Sequence, residues 1–171
     1  VIKPGVSLAF VDSKKVSPYT NFDCKGAIEL GKHKFRCWKS EGHAKTDMIK
    51  AIRESCDVYF YKGSLLTGID KIAQELRKMG LGQKTGIDLP NEFIGAVPDK
   101  PWKMSKYGQP WYPGETLNAA IGQGYMLVTP MQIARYTALL ATGKLPRPFL
   151  VESLAGEKQE PLLEDVLSLR E

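Results

Sequence analysis

Three consecutive residues, Ser55-Cys56-Asp57, place a hydroxyl, a thiol and a carboxylate side by side. A serine hydroxyl two positions from a carboxylate can pass a proton while the carboxylate orients neighbouring donors. The same residues admit a plainer role, with Asp57 capping the helix that follows. The thiol belongs to a second set. The chain holds three cysteines, Cys24, Cys37 and Cys56, and His43 lies six residues after Cys37. Three thiolates and one imidazole suit a tetrahedral, structural zinc ion with no open position. The spacing C-x12-C-x5-H-x12-C lacks the tight Cys-x-x-Cys pair of common zinc modules. An odd cysteine count leaves one thiol unpaired under any internal disulfide scheme. A Cys24–Cys37 disulfide beside a buried free Cys56, or three free thiols, therefore stand as alternatives.

These groups must be positioned by the elements around them. Residues 1–16 read as the front of a buried helix with Val6, Leu8, Ala9, Phe10 and Val11 apolar and Pro4 in an early turn. Ser17-Pro18 breaks it. Residues 20–30 and 33–39 read as two strands joined by a tight Gly31-Lys32 turn, with Cys24 and Cys37 roughly level across it. His33, near that turn, is expected in solvent. Gly42 to Lys45 reads as a loop. Thr46-Asp47 can cap a helix presenting Met48, Ile49 and Ile52 at helical spacing. Ser55-Cys56-Asp57 interrupts that pattern, and Val58 to Leu66 resumes it. If the hairpin folds against this interruption, Cys24, Cys37, His43 and Cys56 converge.

Gly68 ends the second stretch, and Ile69 to Met79 forms another helix with Gly80 at its C′ position. Residues 80–114 carry five of the eleven prolines and six of the sixteen glycines, so they read as loop. Trp102, Tyr107, Trp111 and Tyr112 would anchor that loop or line a groove. Thr129-Pro130-Met131-Gln132 spells a capping box with proline at N1, and Gly143 ends the helix. Residues 144–171 read as a strand followed by an acidic, partly mobile tail. The mixture points to α/β or α+β with a helical subdomain.

Composition sets outer limits. In 171 residues, 43% are apolar and 25% charged, which fits a globular chain and excludes wholesale disorder or a disulfide miniprotein. No apolar run approaches the ~18 residues of a membrane-spanning helix, and no secretory signal pattern is present. The net charge of +5 is concentrated before residue 151; residues 151–171 hold two basic and six acidic side chains. Arg36, Trp38 and Lys39 mix base and aromatic as a nucleic-acid surface can. A solvated strand face explains them more simply, and no nucleic-acid partner is expected.

The surroundings of the first tripeptide are more specific. His43 to Asp47, Ala51 to Tyr61, Gly82-Gln83-Lys84-Thr85-Gly86-Ile87-Asp88-Leu89-Pro90, Gly114-Glu115-Thr116, Ile121 to Tyr125 and Thr129 to Gln132 follow one another in register. Together they resemble the penicillin-binding protein family, most of all its elongation-specific class B transpeptidases of Gram-negative bacteria. The resemblance covers roughly residues 1–150. It implies a penicillin-binding-protein or serine β-lactamase-like transpeptidase fold, here an incomplete, mostly helical portion with a β-hairpin.

That family uses Ser-x-x-Lys, Ser-x-Asn or Ser-x-Asp, and Lys-Thr-Gly. Ser55-Cys56-Asp57 fits the second. Val1-Ile2-Lys3-Pro4 matches the end of the first, so the resemblance makes Lys3 the general base and places the nucleophilic serine immediately before Val1. Lys84-Thr85-Gly86 spells the third motif but precedes the Gly-Gln-Gly region, where the family's functional strand does not lie. It reads as a structural turn, with the true third motif expected beyond Glu171. Residues 1–171 are thus expected to be part of a transpeptidase domain, inactive alone.

The implied chemistry is acyl transfer from a peptidoglycan stem peptide through a serine acyl-enzyme, with β-lactam antibiotics acylating the same serine. Lys3 takes the serine proton, for which its pKa must fall toward neutrality. Ser55 relays a proton to the leaving amine, and Asp57 fixes the relay. No catalytic cofactor is implied. The resemblance also implies membrane-protein partners in the elongation machinery and a place at the periplasmic face of the bacterial inner membrane, anchored by a segment outside this chain. Two other readings remain: a D,D-carboxypeptidase or related penicillin-recognising hydrolase, and a non-catalytic zinc-stabilised binding module.

Overall fold

The computed structural model describes residues 1–167, which divide into two compact units. The first comprises Val1–Glu75 with Pro98–Met126, and the second Leu76–Val97 with Leu127–Glu171. The described residues mix helices with short antiparallel ladders, so the expected α+β class, mostly helical with a hairpin, is what is seen.

The first unit is built on α3 (Asp57–Thr67). Its Val58, Tyr59, Phe60, Tyr61, Gly63 and Ser64 are all buried. A helix apolar on successive positions has no solvent face to spare, so it sits between neighbours. Those neighbours are α1 (Lys3–Asp12), α2 (Met48–Arg53) and α6 (Pro113–Ala120). Val6, Ala9 and Phe10 of α1 are fully buried, and the Phe10 ring lies over Gly63, where a Cβ would fall well inside contact distance. Gly63→Ala should therefore cost about 1–3 kcal/mol through overpacking, despite alanine's better helix propensity. A chemical-denaturation midpoint unchanged by this substitution would show that α1 can move away freely.

The strands differ from the expected single hairpin. β1 (Phe22–Cys24) pairs antiparallel with β4 (Ala44–Thr46), while β2 (Ala27–Leu30) pairs with β3 (His33–Arg36) across Gly31-Lys32. The turn is as expected, but Cys24 lies opposite Ala44 rather than level with Cys37. The break comes at Gly26, whose φ of +84° puts its α-carbon against the Ser40 carbonyl. Only a residue without a Cβ fits there. The stretch read as a loop at Gly42–Lys45 thus supplies a strand.

Asp47 caps α2 by accepting the Lys50 N–H, as expected, but Ile49 and Ile52 are 67% and 40% exposed. A six-residue helix buries only one narrow face, and Met48 and Ala51 take it. α4 (Ile69–Lys78) buries Ile69, Ile72, Ala73 and Leu76 as its spacing predicts.

One helix lies where only loop was expected, and a second begins at the end of that stretch, on residues given no element. α5 (Lys100–Tyr107) is capped by Asp99, which accepts the Trp102 N–H, and closed by Gly108 in the left-handed region. Proline in the first turn of both α5 and α6 marks a helix start rather than a break. The buried Lys103 ammonium is ion-paired with Glu115 and joins α5 to α6. Trp102, Tyr107 and Tyr125 pack ring against ring, and Trp111 donates to Thr116, so these aromatics act as anchors.

In the second unit, α7 (Pro130–Thr142) begins with the expected Thr129–Gln132 capping box and ends at Gly143. Fully buried Gln132 also donates to the carbonyls of Gln83 and Ile94. Lys84-Thr85-Gly86 is irregular backbone rather than the expected turn, and it lies in no strand: the Thr85 and Gly86 N–H groups both donate to the Glu92 carboxylate. β5 (Lys144–Pro146) pairs with β8 (Leu163–Asp165), and β6 (Ser153–Leu154) with β7 (Glu157–Lys158). The tail thus carries three short strands beyond the one expected at residue 144; its last four residues lie outside the described ones.

Candidate active site and metal cluster

Lys3 is the first residue of α1, and Asp57 the first of α3. Ser55 lies between α2 and α3 with φ at +53°. The Ser55 N–H donates to the Ile52 carbonyl, and the Cys56 N–H to the Ala51 carbonyl. That bond pair is the Schellman ending of a helix, in which the residue at C′ is usually glycine. A serine there carries about 1–2 kcal/mol of backbone strain. Strain of this kind gathers where a side chain must be held in one place.

The Lys3 ammonium sits at the meeting point. Its Nζ donates to Ser55 Oγ at 2.9 Å, to the Ser55 carbonyl at 2.8 Å and to Asp57 Oδ1 at 2.6 Å. Three acceptors use all three ammonium hydrogens. The Lys3 and Asp57 side chains are 12% and 14% exposed, so the pair is partly desolvated, and Lys3 also faces the Phe60 ring. The second Asp57 oxygen accepts the Trp38 backbone N–H at 3.0 Å. In return, the Asp57 N–H donates to Cys37 Sγ at 3.3 Å. The sequence reading placed Trp38 on a solvated strand face and missed this backbone bond to Asp57. Burial, helped by the Asp57 charge, pushes the nearby Tyr61 hydroxyl up to about 12. It donates to the Arg36 carbonyl and stays neutral as a hairpin anchor.

Cys24, Cys37, His43 and Cys56 come together directly behind this constellation. All four are buried, and their ligand atoms lie within 4.8 Å of one another. His43 Nδ1 is 3.6 Å from both Cys24 Sγ and Cys37 Sγ. A tetrahedral zinc with ordinary bond lengths sets a nitrogen and a sulfur about 3.5 Å apart. The donor set and its spacing therefore fit that ion. The three cysteines are free thiols, with no disulfide between them. Without a cation, burial pushes the Cys56 thiol up to about 12, with Cys24 and Cys37 adding to the rise. His43 Nε2 is buried with no hydrogen-bond partner among the described residues. His33, by contrast, is exposed on β3.

A hollow adjoins the cluster at His43. Trp38, Lys39, His43, Arg53, Glu54 and Ser55 line an open depression of about 450 Å³. The Trp38 indole, 66% exposed, is fixed by its N–H on the Glu54 carbonyl. The arrangement can thus move a proton between Lys3 and Ser55 and can hold a structural cation a few ångströms behind them.

Comparison with known proteins agrees with this geometry. The model of the penicillin binding protein transpeptidase domain matches residues 1–167. The peptidoglycan D,D-transpeptidase MrdA of Haemophilus influenzae is 35% identical over 97% of this chain and 26% of its own length. MrdA of Acinetobacter baumannii is 45% identical over 74% of this chain and 19% of its own. The penicillin-binding protein PBP2 of Helicobacter pylori, solved in complex with MreC, is 48% identical. It superposes with a TM-score of 0.90 over 98% of this chain and 31% of its own. The chain spans about a quarter or less of the curated relatives' length.

Proposed function

The chain belongs to the penicillin binding protein transpeptidase family, and on that premise we propose that it serves a peptidoglycan D,D-transpeptidase of the elongation type. The observation that carries the reading is the Lys3 ammonium shared by Ser55 and Asp57. Residues 1–171 form part of the transpeptidase domain. The nucleophilic serine precedes Val1, and the third-motif strand follows Glu171.

The chemistry is a two-step acyl transfer. The serine oxygen bonds to the penultimate D-Ala carbonyl of a stem peptide, and its proton goes to Lys3, which must enter this step as the neutral amine. Ser55 Oγ, 2.9 Å from Lys3 Nζ, hands a proton to the departing D-Ala amine as the peptide bond breaks. A second stem peptide's amine then attacks the acyl-enzyme and releases the serine with a cross-link formed. Asp57 keeps Lys3 in place and is itself steadied by the Trp38 N–H. β-Lactams acylate the same serine and leave slowly.

Cys24, Cys37, His43 and Cys56 hold a structural zinc, which takes no part in acyl transfer. Its four donors tie β1, the end of β3 and the start of β4 to the Ser55–Asp57 turn. Binding partners are stem peptides, β-lactams and membrane proteins of the elongation complex; the H. pylori relative seen with MreC supports the last. The domain works at the periplasmic face of the inner membrane, held by a segment outside this chain. Among the described residues, no helix is long and apolar enough to cross a membrane.

The test is fluorescent-penicillin labelling of the full-length protein, followed by product analysis with stem-peptide substrates. Labelling with cross-linked dimers is expected. Shortened monomers alone would mean a carboxypeptidase, and an intact protein that never labels would leave only a binding module. Ser55→Gly separates strain from function. It should raise stability by about 1 kcal/mol by relieving the left-handed φ, yet sharply slow labelling. Unchanged labelling would remove Ser55 from the relay.

A further inference from the structure

Two bonds link the cysteine cluster to the carboxylate that holds Lys3: Asp57 N–H to Cys37 Sγ, and Trp38 N–H to Asp57 Oδ2. Consecutive residues 37 and 38 therefore grip both ends of Asp57. We propose that Cys24 and Cys37 are a reversible oxidation site, whose disulfide ejects the metal, releases Asp57 and switches acylation off. The switching rests on the transpeptidase reading above; the oxidation itself does not.

All three sulfurs lie within 4.8 Å of one another, so it is the backbone that favours this pair over the others. Cys24 ends the three-residue strand β1 and Cys37 directly follows the four-residue strand β3, so neither is held by a helix. Cys56 is held by helices on both sides: it is the N-cap of α3 and its N–H closes the end of α2 on the Ala51 carbonyl, whereas the Cys37 N–H bonds to the Gly26 carbonyl outside any helix. A disulfide needs the sulfurs at about 2.05 Å, so the pair must draw together. Cys37 Sγ then leaves the Asp57 N–H, and Trp38 is pulled with it.

A small peroxide is the oxidant class. It reaches the cluster through the hollow beside Trp38, where the His43 ring forms part of the wall. One thiolate attacks the peroxide, breaking the O–O bond and giving a sulfenic acid. The second thiolate attacks that sulfur. In sum, two thiolates lose two electrons, one S–S bond forms, and hydrogen peroxide departs as two hydroxide ions. His43 and Cys56 remain as donors, too few for a four-coordinate site. A thiol reductant with added zinc reverses the change.

The experiment uses the full-length protein loaded with zinc and titrated with hydrogen peroxide. Four readouts are taken: alkylatable thiols and cross-linked peptides by mass spectrometry, zinc released to a chromogenic chelator, and fluorescent-penicillin labelling. Expected are a Cys24–Cys37 peptide with Cys56 still alkylatable, about one zinc released per chain, and labelling lowered at least tenfold; reductant plus zinc restores all of them. Cys24→Asp keeps a ligand oxygen but cannot form the disulfide. Its labelling, whatever its starting level, should not respond to peroxide. A different disulfide, zinc retained after oxidation, labelling unaffected by it, or an equal peroxide response in Cys24→Asp would each overturn the proposal. If the untreated protein does not label, the transpeptidase reading has failed, while the thiol and zinc readouts still judge the oxidation site.

Discussion

Lys3→Ala in the full-length protein is expected to slow β-lactam acylation roughly 10³-fold, within the usual range for loss of a general base. The ammonium bonds to Ser55 Oγ, the Ser55 carbonyl and Asp57 Oδ1 together. Removing it takes away the proton acceptor and leaves Asp57 partly buried without its cation. Lys3→Arg should not rescue the rate. A guanidinium is planar, broader and permanently charged, so it can neither take the proton nor sit among three converging acceptors. Asp57→Asn isolates positioning. It keeps an oxygen for Lys3 or Trp38 but loses the charge, so it should slow acylation less than Lys3→Ala. The check is the second-order rate of fluorescent-penicillin labelling, with thermal unfolding as a control for fold. A Lys3→Ala protein that folds and labels within threefold of the parent would end the assignment.

Removal of the proposed structural metal is the second large effect. Purified full-length protein is expected to hold about one zinc per chain at the cysteine–histidine cluster. Stripping it should cost several kcal/mol, since binding to a site absent from the unfolded chain adds directly to folding stability. In melting temperature that is on the order of 10 °C for a domain of this size. His43→Ala should give the same loss in the presence of zinc, because a three-thiolate site keeps an open edge. The cluster joins three chain segments that have few other reasons to meet. β1, β3 and β4 are three or four residues long and pair only in twos. Isolated two-stranded ladders are marginal in water. Metal content by atomic spectroscopy and melting with and without chelator decide the matter. Protein free of zinc as isolated, melting identically with chelator, would return the cluster to three plain thiols.

The two effects meet at Asp57, which gives a way to rank them. Loss of metal should slow acylation as well, through Cys37 and Trp38, but by less than loss of Lys3. The proton acceptor itself is still present in the stripped protein. If stripping abolished labelling while the melting curve hardly moved, the cluster would have to act on the chemistry more directly than this structure allows.

Much of the chain was legible from local chemistry. Asp47, Thr129, Gln132, Gly80 and Gly143 stand at the helix ends where their hydrogen-bonding habits or tolerance of positive φ place them. Such signals act within four residues, so they survive without knowledge of the fold. The motif series also grouped Lys3, Ser55 and Asp57 as one set, and residue type with the expected hairpin grouped Cys24, Cys37, His43 and Cys56, which the structure brings together. α5 and α6 were missed although their prolines sit in the first turn and Asp99 and Gly108 flank α5. There the density of proline and glycine was weighed above the positions at which they fall.

Long-range pairing was another matter. That β1 joins β4, and that Ile49 and Ile52 face outward, follows from which surfaces α3 leaves available, and no window of neighbouring residues contains that information. The grip of Cys37 and Trp38 on Asp57 is of the same kind. Sequence alone therefore determined which groups this protein could offer to proton transfer and to a metal. Only the tertiary structure decided that they share a wall, because hydrogen bonds and ligand bonds act over about 2–4 Å, while the groups they join are separated by up to 54 positions of chain.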